Sequence, residues 1–152
     1  MKKGEGMCGE VCHSIDEKGR ITIPNQYRDM LGEGFVVTRG LDHCLWMMTR
    51  EEWEAVENEI RGLDHNIREV RIYARFILGG ACDGELDKQG RMMIPQSLRE
   101  YAELEKEALF SRGPDYVEIW SRSRYGGWMN DDEISMSAAR ISELRRENLR
   151  MG

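Results

Sequence analysis

Two stretches of this chain place an arginine at the same point of the same short motif. Asp16-Glu17-Lys18-Gly19-Arg20-Ile21-Thr22-Ile23-Pro24 and Asp87-Lys88-Gln89-Gly90-Arg91-Met92-Met93-Ile94-Pro95 both read Asp-x-x-Gly-Arg, then an apolar-x-Ile-Pro run. Each is followed by a further arginine at equal distance, Arg28 and Arg99. The chemistry open to such a motif is anion recognition, because a guanidinium can hold a phosphate oxygen or the edge of a guanine. A carboxylate is repelled by phosphate, so Asp16 and Asp87 belong to the turn itself. Each can accept from backbone amides two or three residues on and so orient the arginine. Gly19 and Gly90 can take the positive φ that closes the turn.

Lys18 projects from the apex of the first turn as a phosphate contact. The second turn has Gln89 there and Lys88 one position earlier, so the two turns contribute unequally. An arginine that salt-bridges the Asp of its own turn and only stabilises it is the competing reading of Arg20 and Arg91. Arg28 and Arg99 either extend a basic surface or pair with Asp29 and Glu100.

The elements that must carry these residues follow from periodicity. Gly9 to Ile15 alternates, with Val11, His13 and Ile15 on one face, which predicts a half-buried strand. Arg20 to Ile23 is expected to return as its partner, Ile21 and Ile23 inward, Arg20 and Thr22 outward. Pro24 ends the strand and suits the first turn of a helix over Asn25 to Leu31, with Tyr27, Met30 and Leu31 inward and Gly32 as terminator. Phe35-Val36-Val37-Thr38 and Cys44-Leu45-Trp46-Met47 are strands separated by a turn at Gly40 to His43. Met47-Met48 and Met92-Met93 read as strand packing. Thr49-Arg50-Glu51-Glu52 is a capping box. It opens a helix with Trp53, Val56, Ile60 and Leu63 on one face. Asp64 is expected to start a second, with Ile67, Val70, Ala74, Ile77 and Leu78 inward and Arg68, Arg71 and Arg75 as a solvated or inter-subunit stripe.

From Gly80 the pattern begins again. Gly9 to Arg28 aligns without a gap with Gly80 to Arg99 at an offset of 71, and Phe35 to Gly40 answers Ala108 to Gly113. The chain reads as an internal duplication: a first half over 7–53, connecting helices over 54–79, a second half over 80–128 and a partly helical tail over 129–152. In that tail Asn130 to Glu133 reads as an acidic loop, and Ile134, Ala138, Ile141 and Leu144 recur at helical spacing. Residues 1–6 read as an extension, with Met7 as a natural start.

Composition sets bounds on function. The chain of 152 residues is globular in composition, and its net charge is −6. That sum does not exclude nucleic acid, because binding depends on where the cations sit. The acids cluster outside the motifs, over Glu51 to Glu59, Glu100 to Glu107 and Asp131 to Glu133. No apolar run approaches membrane-spanning length, which makes a soluble cytoplasmic protein the expectation. Cys8, Cys12 and His13, or His43 and Cys44, assemble into a metal site only on paper, and reduced, packed thiols are expected. No hydrolytic or nucleophilic constellation and no phosphate loop is present, and none of the three histidines falls in the motif. An enzyme, a cofactor and a small-molecule substrate are therefore not expected.

The doubled Asp-x-x-Gly-Arg units, the Phe-Val-Val-Thr-Arg-Gly and Leu-Trp strands and the helix pair between them resemble the MraZ family over about residues 7–129. The resemblance implies an α+β, AbrB-like swapped-hairpin barrel whose two halves come from one chain. It implies a ring of protomers and a transcriptional regulator that binds short direct repeats of double-stranded promoter DNA in its own division and cell-wall gene cluster, usually repressing it. It places DNA contact at Lys18, Arg20 and Arg91. The alternative is an AbrB-like module of antitoxin or assembly type, whose partner is a protein gripped by the C-terminal helix.

Overall fold

The computed structural model describes residues 9–32 and 34–151. Cys8, and the expected extension at residues 1–6, lie outside them. The chain divides into two compact units, Met1–Ser121 and Arg122–Gly152. Among its described residues the first holds eight strands and four α-helices: β1 Glu10–Ser14, β2 Arg20–Thr22, α1 Asn25–Leu31, β3 Phe35–Arg39, β4 Leu45–Thr49, α2 Arg50–Arg61, α3 Arg68–Gly79, β5 Cys82–Gly84, β6 Arg91–Met93, α4 Gln96–Ala102, β7 Glu107–Arg112 and β8 Val117–Ser121. The second holds α5 Arg122–Trp128 and α6 Asp131–Met151.

All pairing is antiparallel. One sheet runs β1-β7-β8-β4-β3-β5, and a separate ribbon pairs β2 with β6. The expected local hairpin of β1 with β2 does not form: an isolated bridge, Ile15 to Ile21, is what joins them. Instead β1 pairs with β7, Glu10 opposite Ser111, and β5 pairs with β3, Phe35 opposite Gly84. A two-stranded hairpin is marginal in water, whereas each exchanged strand gains a place in a six-stranded sheet. The order of that sheet is a palindrome in the sequence offset, β1 answering β5, β7 answering β3 and β8 answering β4. The ribbon obeys the same rule, since its central pair is Ile21 with Met92, two residues at the offset of 71.

Between the sheets lies the core. Ile21, Ile23, Phe35, Leu45, Met47, Met92, Ile94, Phe110 and Ile119 are all fully or almost fully buried within it. Tyr27 and Leu31 of α1, and Leu98 and Ala102 of α4, close it. Pro24 and Pro95 stand before these two helices at φ −55°, as proline's fixed torsion favours. Gly32 ends α1 at φ 67°, while α4 ends on Glu103 at φ 54° without a glycine. Thr49 and Glu52 exchange both bonds of the capping box, at 3.1 Å and 2.9 Å.

Several apolar residues expected inside are not. Met30 is 49% exposed and Met93 57%. Met30 follows the buried Tyr27 by three positions, but the short α1 buries only Tyr27 and Leu31. Met93 is one step from the buried Met92, so strand alternation turns it outward. Leu63, Ile67 and Leu78 are also exposed, leaving Ile60 and Ile77 as the buried anchors of α2 and α3. Asp64 does not start α3; its carboxylate accepts from the Asn66 amide in a turn, and the helix begins at Arg68. Gly40 to His43 contains a short 3-10 turn with Asp42 and His43 at positive φ. His43 stacks on Tyr101 with ring centroids 4.8 Å apart, and the Tyr101 hydroxyl donates to the Gly40 carbonyl.

In the second unit the expected acidic loop is the start of a helix. The Asn130 side chain accepts from the Glu133 amide at 2.9 Å, and Asp131, Asp132 and Glu133 form the first turn of α6. Negative charge there complements the helix dipole. No helix of the described residues is long and apolar enough to cross a membrane.

Burial decides what a truncation costs. Leu45→Ala, at a fully buried site, is expected to destabilise the protein by about 2–5 kcal/mol. Met30→Ala is expected to stay within about 0.5 kcal/mol. Urea unfolding of both variants checks the contrast, and equal losses would overturn the core described above.

Candidate nucleic-acid interface

The two turns have the same bonds throughout. The Asp16 Oδ1 accepts from the amides of Lys18 and Arg20, both at 2.9 Å, and Oδ2 from the Arg20 Nε at 2.7 Å. Asp87 does likewise with the amides of Gln89 and Arg91, both at 2.9 Å, and the Arg91 Nε at 2.9 Å. Gly19 and Gly90 close the turns at φ 84° and 73°. Their amides donate to the carbonyls of Asp16 and Asp87, both at 3.0 Å.

So the salt bridge within each turn, the competing reading of Arg20 and Arg91, is present in both copies. It uses only Nε. Among the described residues the two terminal nitrogens of Arg20 and Arg91 have no hydrogen-bond partner, and both side chains stay about one-third exposed. The bridge therefore fixes the direction of each guanidinium and leaves its outer edge available.

The ribbon sets the direction. Ile21 and Met92 face the core, so Arg20 and Thr22 of β2, with Arg91 and Met93 of β6, lie on the opposite face. Arg20 stands opposite Met93, and Thr22 opposite Arg91. The outward face thus reads Arg-Met above and Thr-Arg below, with two arginines on a diagonal. Lys18 and Lys88 are exposed at the turns beside it and make no ion pair among the described residues.

Arg28 and Arg99 do something else. Neither forms an ion pair with Asp29 or Glu100, one of the two readings open to them. The Arg28 Nε donates to the Ile23 carbonyl at 2.7 Å, and the Arg99 Nε to the Ile94 carbonyl at 3.0 Å. Each guanidinium then covers the turn of the other half: a Cβ on Gly90 would come within 2.3 Å of Arg28 Cζ, and one on Gly19 within 2.6 Å of Arg99 Cζ. Gly19 and Gly90 are needed for their torsion, at φ 84° and 73°; the arginine ends packed over them are flexible and could give way. That crossing was invisible in the sequence, because an offset shows which residues correspond and not which ones touch.

A family model described as "MraZ protein, putative antitoxin-like" matches residues 7–71 and 77–146. The chain is 44% identical to the "Transcriptional regulator MraZ" of Acetivibrio thermocellus over 135 residues, covering 89% of this chain and 93% of that one. It is 45% identical to the protein of the same name from Halothermothrix orenii over 138 residues, covering 90% and 96%. The protein of that name from Caldicellulosiruptor saccharolyticus is 41% identical over 140 residues, covering 91% and 98%. The chain belongs to the MraZ family.

In this MraZ-family chain the turn carboxylates are held ionised. Asp16 lies below the ordinary carboxylate pKa, chiefly through the Arg20 amide, which outweighs an opposing desolvation; the Arg20 side chain and the Lys18 amide add to the depression. Asp87 is lowered in the same way by Arg91. His13 goes the other way in charge: burial, then the Arg28 guanidinium, pushes its pKa down, which favours the neutral ring against Phe110.

A carboxylate whose folded pKa is depressed stabilises the fold above its unfolded pKa, and that contribution is lost as pH falls through the folded value. Acid below the usual carboxylate range is therefore expected to loosen both turns. The pair Asp16→Asn with Asp87→Asn is expected to lower stability at neutral pH and to flatten its fall in acid. Unfolding midpoints across a pH series check this; an acid slope unchanged in the double variant would remove the turns as its source.

Proposed function

We propose that this MraZ-family protein is a sequence-specific DNA-binding transcriptional regulator that represses its own division and cell-wall gene cluster from short direct repeats in the promoter. The observation that carries the reading is the placement of Arg20 and Arg91 on one outward face of a two-stranded ribbon, each fixed through Nε. A major groove about 12 Å wide admits such a ribbon, and a fixed guanidinium can bond O6 and N7 of guanine. Lys18 and Lys88 contact phosphates at the turns, and Lys18 gives the first turn the stronger hold. Arg28 and Arg99 support the surface by holding the turns and are not themselves readers.

The fold reading is an AbrB-like swapped-hairpin barrel built from halves at 7–53 and 80–128, linked by helices over 54–79 and followed by the tail at 129–152. The crossed pairing of β1 with β7 and of β2 with β6 supports it. The names of the relatives support a transcriptional regulator, and on that reading the protein works in the cytoplasm, at the nucleoid. With a net charge of −6, one ribbon has little long-range attraction for DNA. A closed ring of protomers would bring several ribbons to successive repeats and add their contacts through avidity.

A second reading, an antitoxin-type module with a protein partner, is favoured by the exposed Ile134, Ile141 and Leu144 along α6. Co-purification separates the two: a stoichiometric protein partner supports the module, and retention on promoter DNA supports the regulator.

Arg20→Ala and Arg91→Ala are each expected to weaken binding to the DNA upstream of the gene by about 1–3 kcal/mol, with fold and oligomeric state kept. Binding is expected to weaken steeply with salt, and more so on DNA cut to one repeat. Footprinting, gel shift and sedimentation test these together. Normal binding by both variants would refute the assignment, and equal affinity for one repeat and several would refute avidity.

A further inference from the structure

The ribbon is symmetric in its arginines and asymmetric in everything between them. Thr22 and Met93 occupy corresponding positions, at the offset of 71, on the outward face. Thr22 is half-buried and Met93 is 57% exposed, an apolar side chain standing opposite Arg20 on a face otherwise polar. Nothing in the fold requires it there, since Met92 fills the core position. The flanks differ as well. Arg20, Arg91 and Met93 line a hollow with Asp83 and Glu85, whose counterparts beside the first turn are the uncharged Cys12 and Ser14.

Resting on the DNA-binding reading, we infer that Thr22 and Met93 are the specificity-determining pair of the ribbon and give it a direction on the duplex. Arginines at two corresponding positions would read the same base on opposite strands, which alone favours a palindrome. Met93 instead offers an apolar surface, and the apolar group on a major-groove edge is the C5-methyl of thymine. Thr22 offers a short methyl and a hydroxyl at the corresponding point, which suits a different base. Asp83 is ion-paired with Arg50 at 3.1 Å and the exposed Glu17 lies in the first turn, so the orientation rests on Thr22 and Met93. The site read between the arginines is therefore non-palindromic, with a thymine at the end that Met93 faces.

The test is selection from a randomised double-stranded DNA pool by the full-length protein, by Met93→Thr and by Arg20→Ala with Arg91→Ala. Threonine is tolerated in strands and makes the outward face the same in both halves. The unaltered protein is expected to enrich a non-palindromic core with one fixed thymine. Replacing that thymine by deoxyuridine, which lacks the methyl, is expected to weaken binding about fourfold, the worth of one buried methyl-sized group. Met93→Thr is expected to lose the preference at that position, to be indifferent to deoxyuridine there, and to keep the rest of the core. A palindromic core for the unaltered protein, or equal sensitivity to deoxyuridine in both proteins, overturns the inference and leaves the DNA-binding reading standing. No enrichment by the unaltered protein, or the same enrichment by the double arginine variant, overturns that reading itself.

Discussion

The β2–β6 ribbon is the constraint on which the rest depends, and it is a ribbon that should not survive alone. It has only three residue pairs, too few for an isolated two-stranded sheet in water. Its inner face is the reason it forms, since Ile21 and Met92 are part of the core between it and the large sheet. Its ends are tied by backbone bonds that cross between the halves, from the Ile23 amide to the Gly90 carbonyl and from Ile94 to Gly19, both at 2.9 Å. Arg28 and Arg99 then lie over the turns they cross to. The ordering cost of an exposed loop is thereby met by contacts from both halves at once, and the outward arginines inherit a rigid base.

This arrangement divides four similar arginines into two kinds of work. In each, Nε is committed, but to different acceptors. Arg28 and Arg99 bond backbone carbonyls and lean on glycines, so their position is structural and their replacement would disturb a turn in the other half. Arg20 and Arg91 bond carboxylates of their own turns, which keeps them on the ribbon face. A carboxylate that already accepts two amides and a guanidinium takes up a proton less readily, and the lowered pKa of Asp16 and Asp87 expresses that. The same carboxylates partly neutralise the arginines they hold, so directional hydrogen bonding, more than bulk positive charge, is what the face offers.

Much of this was legible in the sequence, for reasons that can be stated residue by residue. The turn was legible because Asp, Gly and Arg at fixed spacing have local geometric consequences. The capping box at Thr49 was legible for the same reason, and so was the second turn, which repeats the first at a constant offset. What failed depended on contacts distant in sequence. Periodicity assigned Arg20–Ile23 to β1, while the gain from joining a larger sheet sent β1 to β7. Met30 was assigned inward on the face of its helix and Met93 to strand packing, but helix length and register leave both outside. Arg28 and Arg99 do not pair with Asp29 or Glu100, and their bonds to the Ile23 and Ile94 carbonyls were not foreseen. Asn130-x-x-Glu133 carried a local signal for a helix start, an Asn three residues before a Glu, that the acidic run obscured.

The charge distribution sharpens what sort of DNA binder such a face makes. Exposed acids lie along α2, at Glu51, Glu54 and Glu59, and at the first turn of α6, and Asp83, Glu85 and Asp87 line the hollow beside the ribbon's arginines. At physiological salt fields are screened beyond about 8 Å, so the acids away from the ribbon act mainly on approach and weakly on contact. A chain of net charge −6 is therefore not steered to DNA from a distance. Once docked, its affinity rests on a few fixed donors and on apolar fit. Such a surface holds non-specific DNA poorly, because sequence-independent binding is mostly phosphate neutralisation. On the proposed reading, the acidic body works with the rigid ribbon: it would suppress binding where the base edges do not match and leave discrimination to the ribbon's outward residues.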